Sequence, residues 1–107
     1  MTNEQHRKML ECAAKACGYE YPHMLFGGRV WNPLANGLDT AEMCAKLGID
    51  VRWWWGSGEV ECQCFFVKDI TEFFAHRVSY EDHDNSRLRA WMFAATTCAA
   101  KTQGYEP

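Results

Sequence analysis

The stretch Ile49–Phe66 constrains the fold more than any other part of the chain, because it encodes a β-hairpin whose two faces differ in polarity. Glycine followed by serine at Gly56-Ser57 suits a two-residue type II′ turn, whose twist matches that of the flanking strands. Pairing outward from that turn sets Trp55 opposite Gly58, Trp54 opposite Glu59, Trp53 opposite Val60, Arg52 opposite Glu61, Val51 opposite Cys62 and Ile49 opposite Cys64. Side chains alternate along a strand. One face therefore collects Ile49, Val51, Trp53, Trp55, Val60, Cys62, Cys64 and Phe66, and the other carries Asp50, Arg52, Trp54, Glu59, Glu61, Gln63 and Phe65. A slip of one residue would set Trp53 against Glu61 and mix the faces, so the register is specified by burial.

At 107 residues the chain predicts a single domain, 1–107, with a real hydrophobic core and no room for a second. Hydrophobic residues at 48% and charged residues at 23% are ordinary for a globular protein and argue against disorder. No apolar run approaches the roughly 20 residues that span a bilayer. The start Met1-Thr2-Asn3-Glu4 lacks the basic and apolar regions of a secretory signal, so a cytoplasmic protein is expected. A net charge of −3 argues against neutralisation of nucleic-acid phosphates. The small basic clusters, up to Arg7-Lys8 and from Arg87 to Arg89, are flanked by acids and read as solvated helix faces. Six cysteines in such a setting read as reduced thiols; Cys17, Cys44, Cys62, Cys64 and Cys98 fall on apolar faces, and Cys12 leaves the pattern.

Three helices and one further strand complete the expected order. The first helix is predicted to start with Asn3 as N-cap, carry Met9, Leu10, Ala13, Ala14 and Cys17 as one stripe, and stop at Gly18. Residues 19–38 are irregular, with at most a short strand around Arg29 to Trp31, and a loop this long is read either as functional or as a tethered connector packed by Phe26 and Trp31. Asp39 is expected to cap a second helix, with Glu42 in capping-box spacing, Met43, Cys44 and Leu47 inward, and Gly48 as its stop. After Lys68-Asp69, the run Phe73 to Tyr80 reads as a third strand, with a short helix capped by Asp69 as the rival reading. The last helix is expected to begin at Asp84, bury Leu88, Trp91, Met92, Ala95, Cys98 and Ala99 against the apolar sheet face, and end at Gly104. Trp91→Ala is expected to be among the costliest single changes, since each large buried side chain contributes roughly 1.5–3 kcal/mol. The fold class is thus α+β: a three-stranded antiparallel sheet in the order α-α-β-β-β-α, with helices packed on it as an α/β sandwich.

The segment Trp31-Asn32-Pro33-Leu34, then Asp39-Thr40-Ala41 leading to Lys46-Leu47-Gly48-Ile49, is similar to a pattern in small phage and prophage proteins, the phage ABA sandwich domain family. Leu10 to Gly18 resembles the opening helix of those proteins, and Asp82-His83-Asp84 before Arg89-Ala90 and an alanine-rich helix resembles their ending. The Trp53-Trp54-Trp55 run and Cys62-Gln63-Cys64 depart from the pattern. The resemblance implies an α/β sandwich and a phage accessory role, and carries no activity. The shared residues also have a local reading, since Pro33 forces Asn32 into an extended conformation and Asp39 satisfies helix amides.

Candidate chemistry is sparse. Cys62 and Cys64, with His76 and His83, suggest zinc, but the second ligand pair of structural zinc spacing is missing and buried thiols are the better reading. A cysteine nucleophile paired with His76 or His83 would need an electropositive pocket, which Asp50, Glu59 and Glu61 oppose. The Asp82-His83-Asp84 element sits where a helix N-terminus wants acids. Nucleophile elbows, phosphate-binding glycine loops and His-Glu-x-x-His helices are absent from the sequence, so no catalytic activity, cofactor or metal is expected. The helix-strand-strand-strand-helix order from Asp39 resembles a double-stranded RNA-binding domain, yet Glu81, Asp82 and Asp84 stand where phosphate-gripping basic residues belong.

What remains is the polar hairpin face, where Trp54 and Phe65 lie among Arg52, Glu59, Glu61 and Gln63 as aromatics in a polar rim do at protein contacts. Two readings of Trp54 stand: exposed on that face, or lying beneath the first helix. The expected binding residues are Arg52, Trp54, Glu59, Glu61 and Phe65. The leading functional expectation is a non-catalytic phage accessory protein that binds a host protein and inhibits a host process such as antiviral defence. The alternative is a small-ligand or nucleotide binder closing the loop Tyr19 to Trp31 over its ligand; an enzyme or an RNA-binding-like module ranks lower. An exposed sheet edge also makes a homodimer an open expectation.

Overall fold

The first helix, α1 (Asn3–Ala16), starts one residue earlier than expected, because Thr2 offers a reciprocal cap that Asn3 does not. The Thr2 hydroxyl accepts from the Gln5 amide at 3.1 Å while the Gln5 side chain accepts from the Thr2 amide at 2.8 Å, satisfying two otherwise orphaned donors. Its stripe Met9, Leu10, Ala13, Ala14 and Cys17 is buried as the spacing predicts. Gly18, at φ 82°, turns the chain out of the helix.

The structure is a computed structural model that describes residues 2–67 and 71–107, without the side chains of Phe66 and Val67. The expected strand break at Lys68-Asp69, the rival cap at Asp69 and the inward placement of Phe66 lie outside the described residues. The second helix, α2 (Gly37–Leu47), is capped by Asn36, whose side chain accepts from the amides of Leu38 and Asp39. Asp39 therefore does not cap the helix. It occupies the first turn and points into the protein.

Three antiparallel strands follow, β1 (Asp50–Trp54), β2 (Glu59–Val67) and β3 (Thr71–Ser79), with β2 in the centre. Pairing of Trp54 with Glu59, Trp53 with Val60, Arg52 with Glu61 and Val51 with Cys62 is the register that burial demanded. The turn is different. Gly58 holds the positive φ of 67°, whereas a type II′ turn needs it at Gly56. Residues 55–58 form the loop, closed by the Ser57 amide on the Trp54 carbonyl at 3.3 Å, and the expected Trp55–Gly58 pair is not formed. Ile49 precedes β1, so its expected pairing with Cys64 is also absent. The run from Phe73 is strand, beginning two residues earlier at Thr71.

The last helix, α3 (Arg87–Lys101), is capped by Ser86 rather than Asp84. Asp84, at φ 57°, instead closes a 3-10 turn over Glu81–His83. α3 lies across β2 and β3, and α1 and α2 pack on α3, giving the layers sheet, central helix, outer helices. Every residue from Ala94 to Ala100 is buried, because the helix has protein on both sides and small side chains allow close approach. Val60, Cys62 and Cys64 meet it from the sheet, and Cys64 Sγ lies 3.7 Å from Cys98 Sγ. The expected stripe needs two corrections: Leu88 is 55% exposed in the first turn, and Trp91 is only half-buried. Met9, Met43, Val60 and Trp31 are large core side chains that are almost completely enclosed.

Candidate functional site

Among the described residues the sheet face away from α3 carries no helix, and this decides between the two readings of Trp54. α1 docks on α3, so Trp54 is not beneath it. The alternation along the strands places Arg52 and Trp54 of β1, Glu59, Glu61, Gln63 and Phe65 of β2, and Phe73 and Arg77 of β3 on this outer face. All five expected binding residues share it. Phe65 and Phe73 are paired across the strands with ring centroids 5.2 Å apart, yet they remain 67% and 53% exposed. The indole of Trp54 is half-buried by arginine: the Arg77 guanidinium lies 4.2 Å and that of Arg52 5.5 Å from the ring centre. Arg77 also reaches Glu59 at 3.3 Å. Phe73 and Arg77 were missed by sequence reasoning, because β3 alternates poorly and only its pairing with β2 reveals which residues join the face.

The inner face is less completely sealed than its composition suggests. Val51 is 42% exposed and Trp55 63%, since α3 covers β2 and β3 and leaves β1 overhanging. Trp53, Trp55 and Tyr80 cluster at this margin, with the Arg87 guanidinium 4.6 Å from the Trp55 ring.

The candidate chemical groups do not assemble. All six cysteines are free, and among the described residues no group of three or more His, Cys, Asp or Glu side chains is placed to hold a metal. Burial pushes the Cys17 thiol up to about 11 and that of Cys44 to about 12, and it raises that of Cys62, the reverse of an activated nucleophile. Cys98 is raised by its hydrogen bond with Cys64 and by burial. Burial also lowers His76, to about 4, with the Lys101 charge adding to it. His83 packs on Phe93 with centroids 4.7 Å apart and is likewise lowered by burial. Asp84 pairs with Arg89 at 2.6 Å.

The loop 19–38 is organised from within. Tyr19 stacks on His23 at 4.0 Å, meets the edge of buried Trp31 at 5.6 Å and lies under Lys46, so its aromatics are spent on one another. The short strand shrinks to a single bridge between Met24 and Val30, and Phe26 is fully exposed rather than a tether. Sequence reasoning missed the anchor of this loop. Arg29 donates to both carboxylate oxygens of buried Asp39, at 2.7 and 2.9 Å, and the Asn32 amide donates to the same carboxylate at 2.9 Å. The Arg29 hydrogen bonds hold Asp39 below its ordinary range, against the cost of burial. A cleft of about 950 Å³ opens between α3, β3 and the 3-10 turn, lined among others by His6, His83, Arg89 and Phe93 and sharing Glu59 and Arg77 with the outer face.

Fold and face together define a small α+β protein with a sheet covered on one side only. No family model, curated protein or solved structure matches the chain. Among the described residues no helix is long and apolar enough to cross a membrane.

Proposed function

We propose that this is a non-catalytic binding protein that recognises another protein through the outer sheet face. The observation that carries this reading is the open pair Phe65 and Phe73 beside an arginine-covered Trp54, within a rim of Arg52, Glu59, Glu61 and Arg77. Exposed aromatics that touch one another gain little from the fold, whereas an aromatic patch with a charged rim suits desolvation by a partner. The rim holds both signs of charge, so it favours a protein over a nucleic-acid backbone. The resemblance of Trp31 to Ile49 to small phage proteins supplies the setting: a phage or prophage accessory protein in the host cytoplasm, directed at a host process such as antiviral defence.

Capture from host lysate with the wild-type chain, Trp54→Ala and Phe65→Ala tests the reading. A host protein retained by the wild type and lost from both variants supports it, with Phe65→Ala guarding against misfolding because that side chain is mostly exposed. Equal recovery of every partner by all three forms removes the face from consideration.

The second reading, a small-ligand binder, now moves from the loop Tyr19 to Trp31 to the cleft beside α3, where Phe93 offers an apolar wall and Arg89, Asp82 and His83 offer polar groups. Native mass spectrometry distinguishes the two, since a co-purified small molecule favours the cleft.

A further inference from the structure

The two edges of the sheet are treated differently. At β3, α3 reaches over the rim: Lys101 Nζ donates to the Ala75 carbonyl at 2.7 Å. Covering an edge strand with a helix is a common guard against strand addition. β1 has no such guard. It pairs with β2 without a bulge and contains neither proline nor lysine. Residues 50–53 make no backbone hydrogen bond outside that ladder among the described residues. Every second residue of such a strand turns its N–H and C=O outward, where an added strand would satisfy them.

We propose that the β1 edge pairs antiparallel with the β1 edge of a second copy, about a two-fold axis at Val51, joining two sheets into one of six strands. The occupant follows from the order of side chains. With Val51 on the axis, Asp50 of each copy stands opposite Arg52 of the other, so both outer-face pairs are of opposite charge. On the inner face Val51 meets Val51, and Ile49 meets Trp53, which gives cover to the margin that α3 leaves open. Shifting the axis to Arg52 would oppose two arginines. The short sequence Asp50-Val51-Arg52 is therefore complementary to itself in one register, as a two-fold interface requires. The pairing also places two outer faces side by side, although it does not depend on what those faces bind.

Sedimentation equilibrium of the full chain, from micromolar to near-millimolar concentration, tests the pairing. The wild type is expected to dimerise. Asp50→Arg and Arg52→Asp alone each set like charges opposite one another twice per dimer and are expected to weaken association about tenfold or more. The double variant D50R/R52D restores opposite charges and is expected to recover the dimer, although it keeps an aspartate opposite Glu61 as R52D does. That shared residue makes recovery a report on pairing rather than on folding. Phe73→Ser, on the outer face, should leave the dimer intact. A monomeric wild type throughout the range overturns the proposal. So does a dimer of equal strength in both single variants, a double variant no better than R52D, or a dimer abolished by F73S.

Discussion

The two faces of the sheet are built from the same strands and contain comparable numbers of large side chains, yet they differ in what lies above them. Val60, Cys62 and Cys64 look inward onto Ala94, Ala95 and Cys98 of α3, and each of these residues is buried. Phe65 and Phe73 look outward, pack on one another and remain mostly exposed. The difference teaches that side chains of any size, from the thiols of Cys62 and Cys64 to the rings of Trp53 and Phe74, join the core where a helix of small residues approaches closely, whereas the outward aromatics Phe65 and Phe73 stabilise little by themselves. Apolar size therefore does not locate the core of this protein; the close-packed partner does.

The largest expected effect breaks the covered side. Met9 is fully enclosed between α1 and α3, where the Thr97 hydroxyl lies 3.6 Å from its sulfur. Met9→Ala should cost about 2–5 kcal/mol by chemical denaturation, since it removes buried methylenes and leaves a cavity. Phe65→Ala should stay within about 0.5 kcal/mol of the wild type, as surface changes do. A Phe65→Ala cost that matched that of Met9→Ala would mean the outer face is part of the core and the comparison is mistaken. Trp91 is partly buried and packs against the core, so Trp91→Ala should also be costly, although it removes less fully enclosed surface than Met9→Ala does.

How far the sequence was legible follows the same division. Hairpin register, the α1 stripe and the stops at Gly18 and Gly48 were readable because alternation, helical spacing and positive φ are local. Helix starts were misread by one to three residues, since Thr2, Asn36 and Ser86 each competed with a nearby acid or amide that could also cap. The α3 pattern concealed its second buried side, because alanine and threonine carry weak hydrophobic signals although all of Ala94 to Ala100 is enclosed. The outer face was legible on β1 and β2 and illegible on β3. The Arg29–Asp39 pair was beyond reach, as a contact between a loop and a helix leaves no periodicity to read.

A middle-sized effect sharpens the contrast between that ion pair and those of the surface. Asp39→Ala removes two arginine hydrogen bonds and one backbone bond from a buried carboxylate, and should cost about 2–3 kcal/mol. Breaking Arg7–Glu11, an exposed pair at 3.0 Å, should cost at most about 0.5 kcal/mol. The sign of the acid response also follows. Asp39 is held below its ordinary 3.8, so its contribution is complete above that value and is lost as pH falls through the lower folded value.

A further pH-dependent effect concerns His76, which faces inward from β3 toward Phe93, His83 and Lys101. Burial depresses its folded value to about 4 from 6.5, with the Lys101 charge and His83 adding to it. Between those two pH values the unfolded chain takes up a proton that the folded chain refuses, so stability is complete above 6.5 and declines as pH falls toward 4. This window lies above that of Asp39, which keeps the two separable in one titration. His76→Gln should make the decline between 6.5 and 4 shallower, the share that His83 contributes remaining, while leaving the loss below 3.8 in place. Denaturation midpoints measured at half-unit pH steps check it. An unchanged slope in that window would place His76 among groups that titrate alike in both states, and the space between β3 and α3 would then be wetter than the rest of the covered side.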